Sequence, residues 1–144
     1  MSKAVKFGVH IWLIAVVANT VLEAFYITGF RLDLGTCIIM FYGLCIGLIF
    51  TLPVFAGICL VINRCIATRM PGIWTFWLVL VAGIILTTLM FLLLMHLFGG
   101  LGGFTDGLFA IAILSAITGV CCTAKALLNL PASETTLNVA DHEN

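Results

Sequence analysis

The sequence predicts an all-α protein: an integral membrane four-helix antiparallel bundle with no soluble domain. Of its 144 residues, 63% are hydrophobic and only 8% are charged, whereas soluble domains carry roughly 25% charged residues. The mean hydropathy is +1.29. Four long apolar stretches are separated by short polar or glycine-rich segments. Each stretch is long enough to cross a bilayer core of about 30 Å as a helix.

The four predicted spans cover 7–28, 36–62, 73–98 and 108–129, within one domain over 1–130. The first apolar run continues beyond the length of a signal-peptide core, so we expect an uncleaved first helix. The remaining segment, 131–144, is polar and acidic. That composition is typical of a tail outside the bilayer.

The first span carries the single carboxylate found within the predicted spans, Glu23. Asn19 lies one helical turn before it and on the same face. A charge inside a bilayer costs about 3 kcal/mol on insertion scales, so Glu23 should face the bundle interior or water. Two interpretations stay open. Glu23 serves proton or cation coupling, with Asn19 and His96 as further candidates, or it ties helices together by hydrogen bonds.

The second span follows a short turn at 29–35 and contains two structural signals. Gly43 and Gly47 form a GxxxG pair, which lets another helix backbone approach closely. Pro53 removes a backbone N–H inside the span, and we therefore expect a helix kink there. The loop at 63–72 ends in a Pro-Gly pair and leads to the third span, which begins with Trp74 and Trp77 at the expected membrane interface.

The fourth span presents small residues at three- and four-residue spacing along one face. Such a seam is typical of close helix packing in lipid. The predicted packing residues of this span are Ala112, Ser115, Gly119 and Ala126. The glycine-rich loop before it, 99–107, is interpreted as a turn rather than a phosphate site, because it has no Lys or Ser/Thr at the spacing of a P-loop and does not follow a strand.

The basic residues predict the orientation of the four spans. Five of them fall on one side of the predicted topology and only Arg31 on the other; the five are Lys3, Lys6, Arg64, Arg69 and Lys125. Because cytoplasmic loops are enriched in basic residues, both termini should be cytoplasmic. The predicted location is a plasma membrane or a bacterial inner membrane.

Several classes of function are disfavoured by the residue pattern. The net charge is zero, so no general attraction to nucleic acid is expected. The six cysteines contain no CxxC pair, and no catalytic constellation or metal-ligand spacing is visible. We therefore expect no enzyme activity, no cofactor and no metal.

The leading hypothesis is a non-enzymatic membrane subunit that packs with itself or with a larger membrane protein as an accessory or inhibitory component. It depends on two sets of small residues, the GxxxG pair of the second span and the small-residue seam of the fourth. Four helices alone can occupy only one of these surfaces economically, which leaves the other for a partner helix. The alternative is a small oligomeric channel or proton-coupled transporter that uses Glu23. In both cases the lipid bilayer is the first partner.

Overall fold

A computed structural model describes residues 3–29, 33–98 and 105–129. Of these, 92% are helical and none lies in a strand, so the all-α prediction is confirmed for this part of the chain. The helices are α1 (Lys3–Thr28), α2 (Leu34–Phe50), α3 (Leu52–Ala67), α4 (Gly72–Phe98), α5 (Thr105–Cys122) and α6 (Ala124–Leu128). Arg31, most of the glycine-rich loop and the predicted tail lie outside the described residues.

Two helices are long and apolar enough to cross a membrane, Ala4–Thr28 and Gly72–Leu97. The pair α2 and α3 adds a third if it forms one bent crossing, whereas the apolar part of α5, Gly107–Cys122, is shorter. In the most apolar stretch of α4 only 11% of the residues are buried. Soluble proteins rarely expose so much contiguous apolar surface, so these helices support a membrane protein.

The stretch predicted as one span over 36–62 is divided at Thr51, and the axes of α2 and α3 differ by 50°. Pro53 occupies the first turn of α3, where its missing N–H removes no helical bond. The N–H of Thr51 donates to the Gly47 carbonyl at 3.0 Å, and the N–H of Phe55 donates to the Thr51 carbonyl at 3.0 Å. Thr51 therefore closes one helix and opens the next.

The ends of this bent pair are fixed by local hydrogen bonds. Asp33 caps α2 by accepting from the backbone N–H of Thr36 at 2.8 Å and from its hydroxyl at 3.0 Å. The bond from the Thr36 backbone is the main reason that the pKa of Asp33 is lowered from its ordinary value. At the other end, α3 continues to Ala67, past the start of the loop predicted at 63–72.

A Schellman motif ends α3 and reverses the chain into α4. The N–H of Arg69 donates to Ile66 and the N–H of Met70 donates to Cys65, both at 3.1 Å. Arg69 has a φ of 50°, a conformation that usually favours glycine. Pro71 follows and prevents α3 from continuing. The tight turn makes α3 and α4 antiparallel neighbours.

The packing is organised around α1, which contacts α2, α3 and α5, while α4 contacts α3, α5 and α6. Beyond its junction with α3, α2 makes extensive contact only with α1 and hardly touches α4. Hydroxyl groups inside the bundle bond to their own helix one turn earlier; Thr20 donates to Val16 at 2.9 Å and Ser115 to Ile111 at 2.8 Å. Such bonds satisfy polar side chains where water is absent.

Candidate functional site

A cavity of about 290 Å³ lies among α1, α2, α3, α4 and α5. Its lining extends along α1 from Ile11 to Glu23, a rise of about 18 Å at 1.5 Å per residue. Most of the wall is aliphatic or aromatic, and the side chains with polar atoms are those of Trp12, Asn19, Glu23, Thr51, Thr87 and Ser115. The volume is near the lower end of the roughly 300–1,000 Å³ typical of small-molecule pockets.

The polar end of the cavity is formed by Glu23 and Asn19. The side chain of Asn19 lies close enough to the Glu23 carboxyl group to interact with it. Its own Oδ1 atom is buried and has no hydrogen-bond partner. A buried acceptor without a donor costs about 1–3 kcal/mol, so this oxygen is available to a ligand that brings an N–H or O–H group. The i, i+4 spacing in the sequence predicts that these two residues share one face of α1, and in the structure both line the cavity.

Glu23 is the only ionisable side chain on the described lining. Gly43 of α2 lies opposite it, since a methyl group built on Gly43 would lie 4.0 Å from Glu23 Oε2. His96, the other predicted coupling residue, is exposed near the end of α4 and is not part of the lining. No group of three or more His, Cys, Asp or Glu suited to a metal occurs in the described part of the chain.

The other end of the cavity contains a contact that sequence reasoning missed. Trp12 Nε1 donates to the Thr51 hydroxyl at 2.7 Å, and that hydroxyl donates to the Gly47 carbonyl. The Trp12 ring also packs against Phe55, with centroids 5.3 Å apart. One signal was available: a tryptophan inside a span, away from the interface, needs an acceptor for its N–H. The bond fastens α1 to the bend between α2 and α3.

Replacing Thr51 with valine is expected to destabilise the protein by about 1–3 kcal/mol, because the Trp12 N–H then loses its acceptor. Thr51→Ser, which keeps the hydroxyl, is the matched control and should behave nearly like the wild type. Chemical denaturation in mild detergent, followed by helical circular dichroism, measures both. A midpoint for Thr51→Val equal to or above that of Thr51→Ser would contradict the stabilising role of the hydroxyl.

The predicted GxxxG pair of α2 packs on α1 within the chain. A methyl group built on Gly43 would lie 3.5 Å from Thr20 Cγ2, and one built on Gly47 would lie 3.6 Å from Val16 Cγ1. These are ordinary contacts with little unused room. Both glycines also line the cavity, so they bring α2 close to the acidic end of the site.

The small-residue seam of the last span packs on another face of α1. Gly119 is buried, and a methyl group built on it would lie 2.6 Å from the backbone oxygen of Ile11. Ser115 is buried as well, Ala112 lines the cavity, and Ala126 is exposed on α6. Gly43, Gly47 and Gly119 therefore pack on α1 inside the chain, whereas Ala126 does not. These contacts weaken the reason for expecting a partner helix, and oligomerisation stays a prediction.

The fold and site together define a class of protein. It is an all-helical chain with two or three candidate membrane spans and a largely apolar cavity whose described lining includes one acidic side chain, Glu23. Comparison with protein-family models, curated proteins and solved structures yields no match, so function has to be inferred from these residues alone.

Proposed function

We propose that this protein is a small membrane transporter in which Glu23 binds and releases the coupled proton. The observation that carries the proposal is the position of Glu23 at one end of a cavity otherwise lined by uncharged side chains. Ionisable residues within membrane helices are costly, and they commonly mark ion or proton pathways. Among the described residues, no other lining group titrates.

The proposal includes four membrane crossings with both termini in the cytoplasm. The 18 residues of α5 correspond to about 27 Å of helix, and α5 packs against both α1 and α4. Gly8 of α1 lies against Cys59 of α3, and Gly72 of α4 lies against Leu128 of α6. These contacts support placing Lys6, Arg64, Arg69 and Lys125 at one end of the bundle, as the positive-inside rule requires.

The proposed mechanism uses protonation and deprotonation of the carboxyl group. Glu23 binds a proton from one side of the membrane and releases it to the other, and a cation at the same carboxylate competes with the proton. Asn19 lies one turn away on the same face and interacts with the carboxyl group. The break at Thr51 provides a place where α2 can move relative to α3, because a helix end costs less to bend than a continuous helix. Movement of α2 would alter access to the acid.

Proton movement into liposomes tests the proposal. Purified protein is reconstituted with an internal pH-sensitive dye, and a potassium gradient with valinomycin sets the membrane potential. We expect wild-type proton flux that depends on pH, and Glu23→Gln should reduce it to the leak of protein-free vesicles. Asp33→Asn removes an exposed carboxylate outside the cavity and should leave the flux unchanged. Wild-type flux no greater than the leak would overturn the proposal.

A further inference from the structure

We infer that the cavity binds a primary alkylammonium ion, an amphiphile with one unbranched apolar chain and an –NH₃⁺ head. This inference deepens the proposed function, since it names the class of cargo for the site at Glu23. The polar head would bind between Asn19 and Glu23, and the chain would extend along the apolar wall toward Trp12.

The choice of head group follows from the donors and acceptors at the polar end. Asn19 Oδ1 lacks a donor, and Glu23 offers carboxylate oxygens beside it. An ammonium group brings three N–H donors and a positive charge, so it can bond to both residues and neutralise the acid. Charge-assisted bonds of this kind are roughly twice as strong as neutral ones. The described lining contains no Lys, Arg or His that would oppose a cation.

Other ligand classes fit these groups less well. A fatty acid would bring a second negative charge next to Glu23, and like charges in a low-dielectric site repel strongly. A quaternary ammonium has the charge but no N–H group for Asn19 Oδ1. A neutral alcohol supplies a single donor and leaves the carboxylate without a counter-charge. A metal ion such as calcium needs six to eight oxygen ligands, and Asn19 and Glu23 supply too few.

The shape of the cavity suits a single chain that enters from the side. The lining residues of α1 extend over about 18 Å, while the volume is only about 290 Å³, so the space is long and narrow. Ile46 lines it and is also 54% exposed. Because α2 hardly touches α4, the wall is incomplete between these helices. An amphiphile dissolved in the bilayer could therefore reach the site without crossing the ends of the bundle.

Binding of octylamine to the protein in lipid nanodiscs tests the inference. Trp12 is made the only tryptophan by Trp74→Phe and Trp77→Phe, both of which are exposed positions. Its emission and isothermal calorimetry then report binding, with empty nanodiscs correcting for partition into lipid. Octyltrimethylammonium, octanol and octanoate are the matched ligands. Glu23→Gln and Asn19→Leu are the site variants, and Asp33→Asn is the control.

We expect saturable octylamine binding that falls about tenfold or more in each site variant, since losing one hydrogen bond to a charged group costs a factor of this order. The three matched ligands should bind about tenfold or more weakly than octylamine. Equal binding of octyltrimethylammonium would overturn the role of the N–H donors. Equal binding to Glu23→Gln would overturn the site.

The binding experiment and the flux experiment test different claims, so either claim can be wrong without the other. If octylamine does not bind but the liposomes show proton flux that depends on Glu23, the ligand inference is wrong and the transport proposal stands. If octylamine binds at Glu23 and the liposomes show only leak, the site is a ligand site and the transport proposal is wrong. Both measurements use the full chain in lipid.

Discussion

Replacing Gly119 with alanine is expected to push α1 and α5 apart and to destabilise the helix bundle. The added methyl group would lie 2.6 Å from the backbone oxygen of Ile11 and 3.1 Å from Ala15 Cβ. A backbone oxygen cannot move without its helix, so α1 would have to shift as a unit. Overpacking of this kind costs about 1–3 kcal/mol, which exceeds the gain of up to about 1 kcal/mol when alanine replaces glycine in a helix.

Gly83→Ala provides the matched control for Gly119→Ala. Gly83 is also a buried helical glycine, but a methyl group built there meets only Val120, at 3.9 Å. The same substitution should therefore leave stability unchanged or raise it by up to about 1 kcal/mol. Thermal unfolding in mild detergent, followed by circular dichroism, gives both values. Molecular mass in the same detergent should be recorded for each variant.

One outcome would revive the expectation of a membrane subunit. If Gly119→Ala keeps the wild-type unfolding temperature but converts an oligomer to a monomer, the seam on α5 serves a second chain rather than α1. An unfolding temperature that falls without a change in mass supports packing within the chain. For Gly119→Ala, the leading sequence hypothesis therefore predicts a change in molecular mass, whereas the structure predicts a lower unfolding temperature.

The sequence predicted the helices but not how they are divided. Apolar runs of sufficient length indicated α1 and α4, because hydropathy and length are properties of a segment alone. The division at Thr51 depends on where the next helix begins, and Pro53 suits the first turn of a new helix better than the interior of an old one. The break between α5 and α6 at Thr123 is local as well. There the Thr123 hydroxyl donates to the Gly119 and Val120 carbonyls at 3.1 and 3.0 Å.

The candidate site was predicted only where the relevant residues share one helix. Asn19 and Glu23 are four residues apart, so helix geometry alone places them together. Trp12 and Thr51 are 39 residues apart in sequence, and their contact depends on the bend and on the rotation of two helices. His96 was a candidate partner of Glu23, but its position in the sequence does not specify which way a residue on α4 faces, and it is exposed. The cavity lies among five helices, where α2 makes few contacts with α4, and no local pattern encodes that arrangement.

Replacing Ala112 with leucine is expected to stabilise the protein and to stop its proton flux. Ala112 lines the cavity, so a larger side chain fills empty space instead of displacing a neighbour. Cavity filling commonly adds about 0.5–2 kcal/mol. The same side chain would obstruct the space between the apolar wall and Glu23, and flux should fall to the leak of protein-free vesicles. The substitution should therefore raise the free energy of unfolding while it abolishes proton flux.

The variant distinguishes a cavity wall from a packed helix seam. If Ala112 belonged to a tight seam, as its spacing with Ser115 and Gly119 suggested, leucine would overpack the interface and lower stability. Ala110→Leu, at an exposed position of the same helix, controls for the helical and apolar character of leucine and should alter neither stability nor flux. Glu23→Gln removes the acid and leaves the space, whereas Ala112→Leu removes the space and leaves the acid. If only Glu23→Gln abolished flux, protons would reach Glu23 by a route other than this cavity.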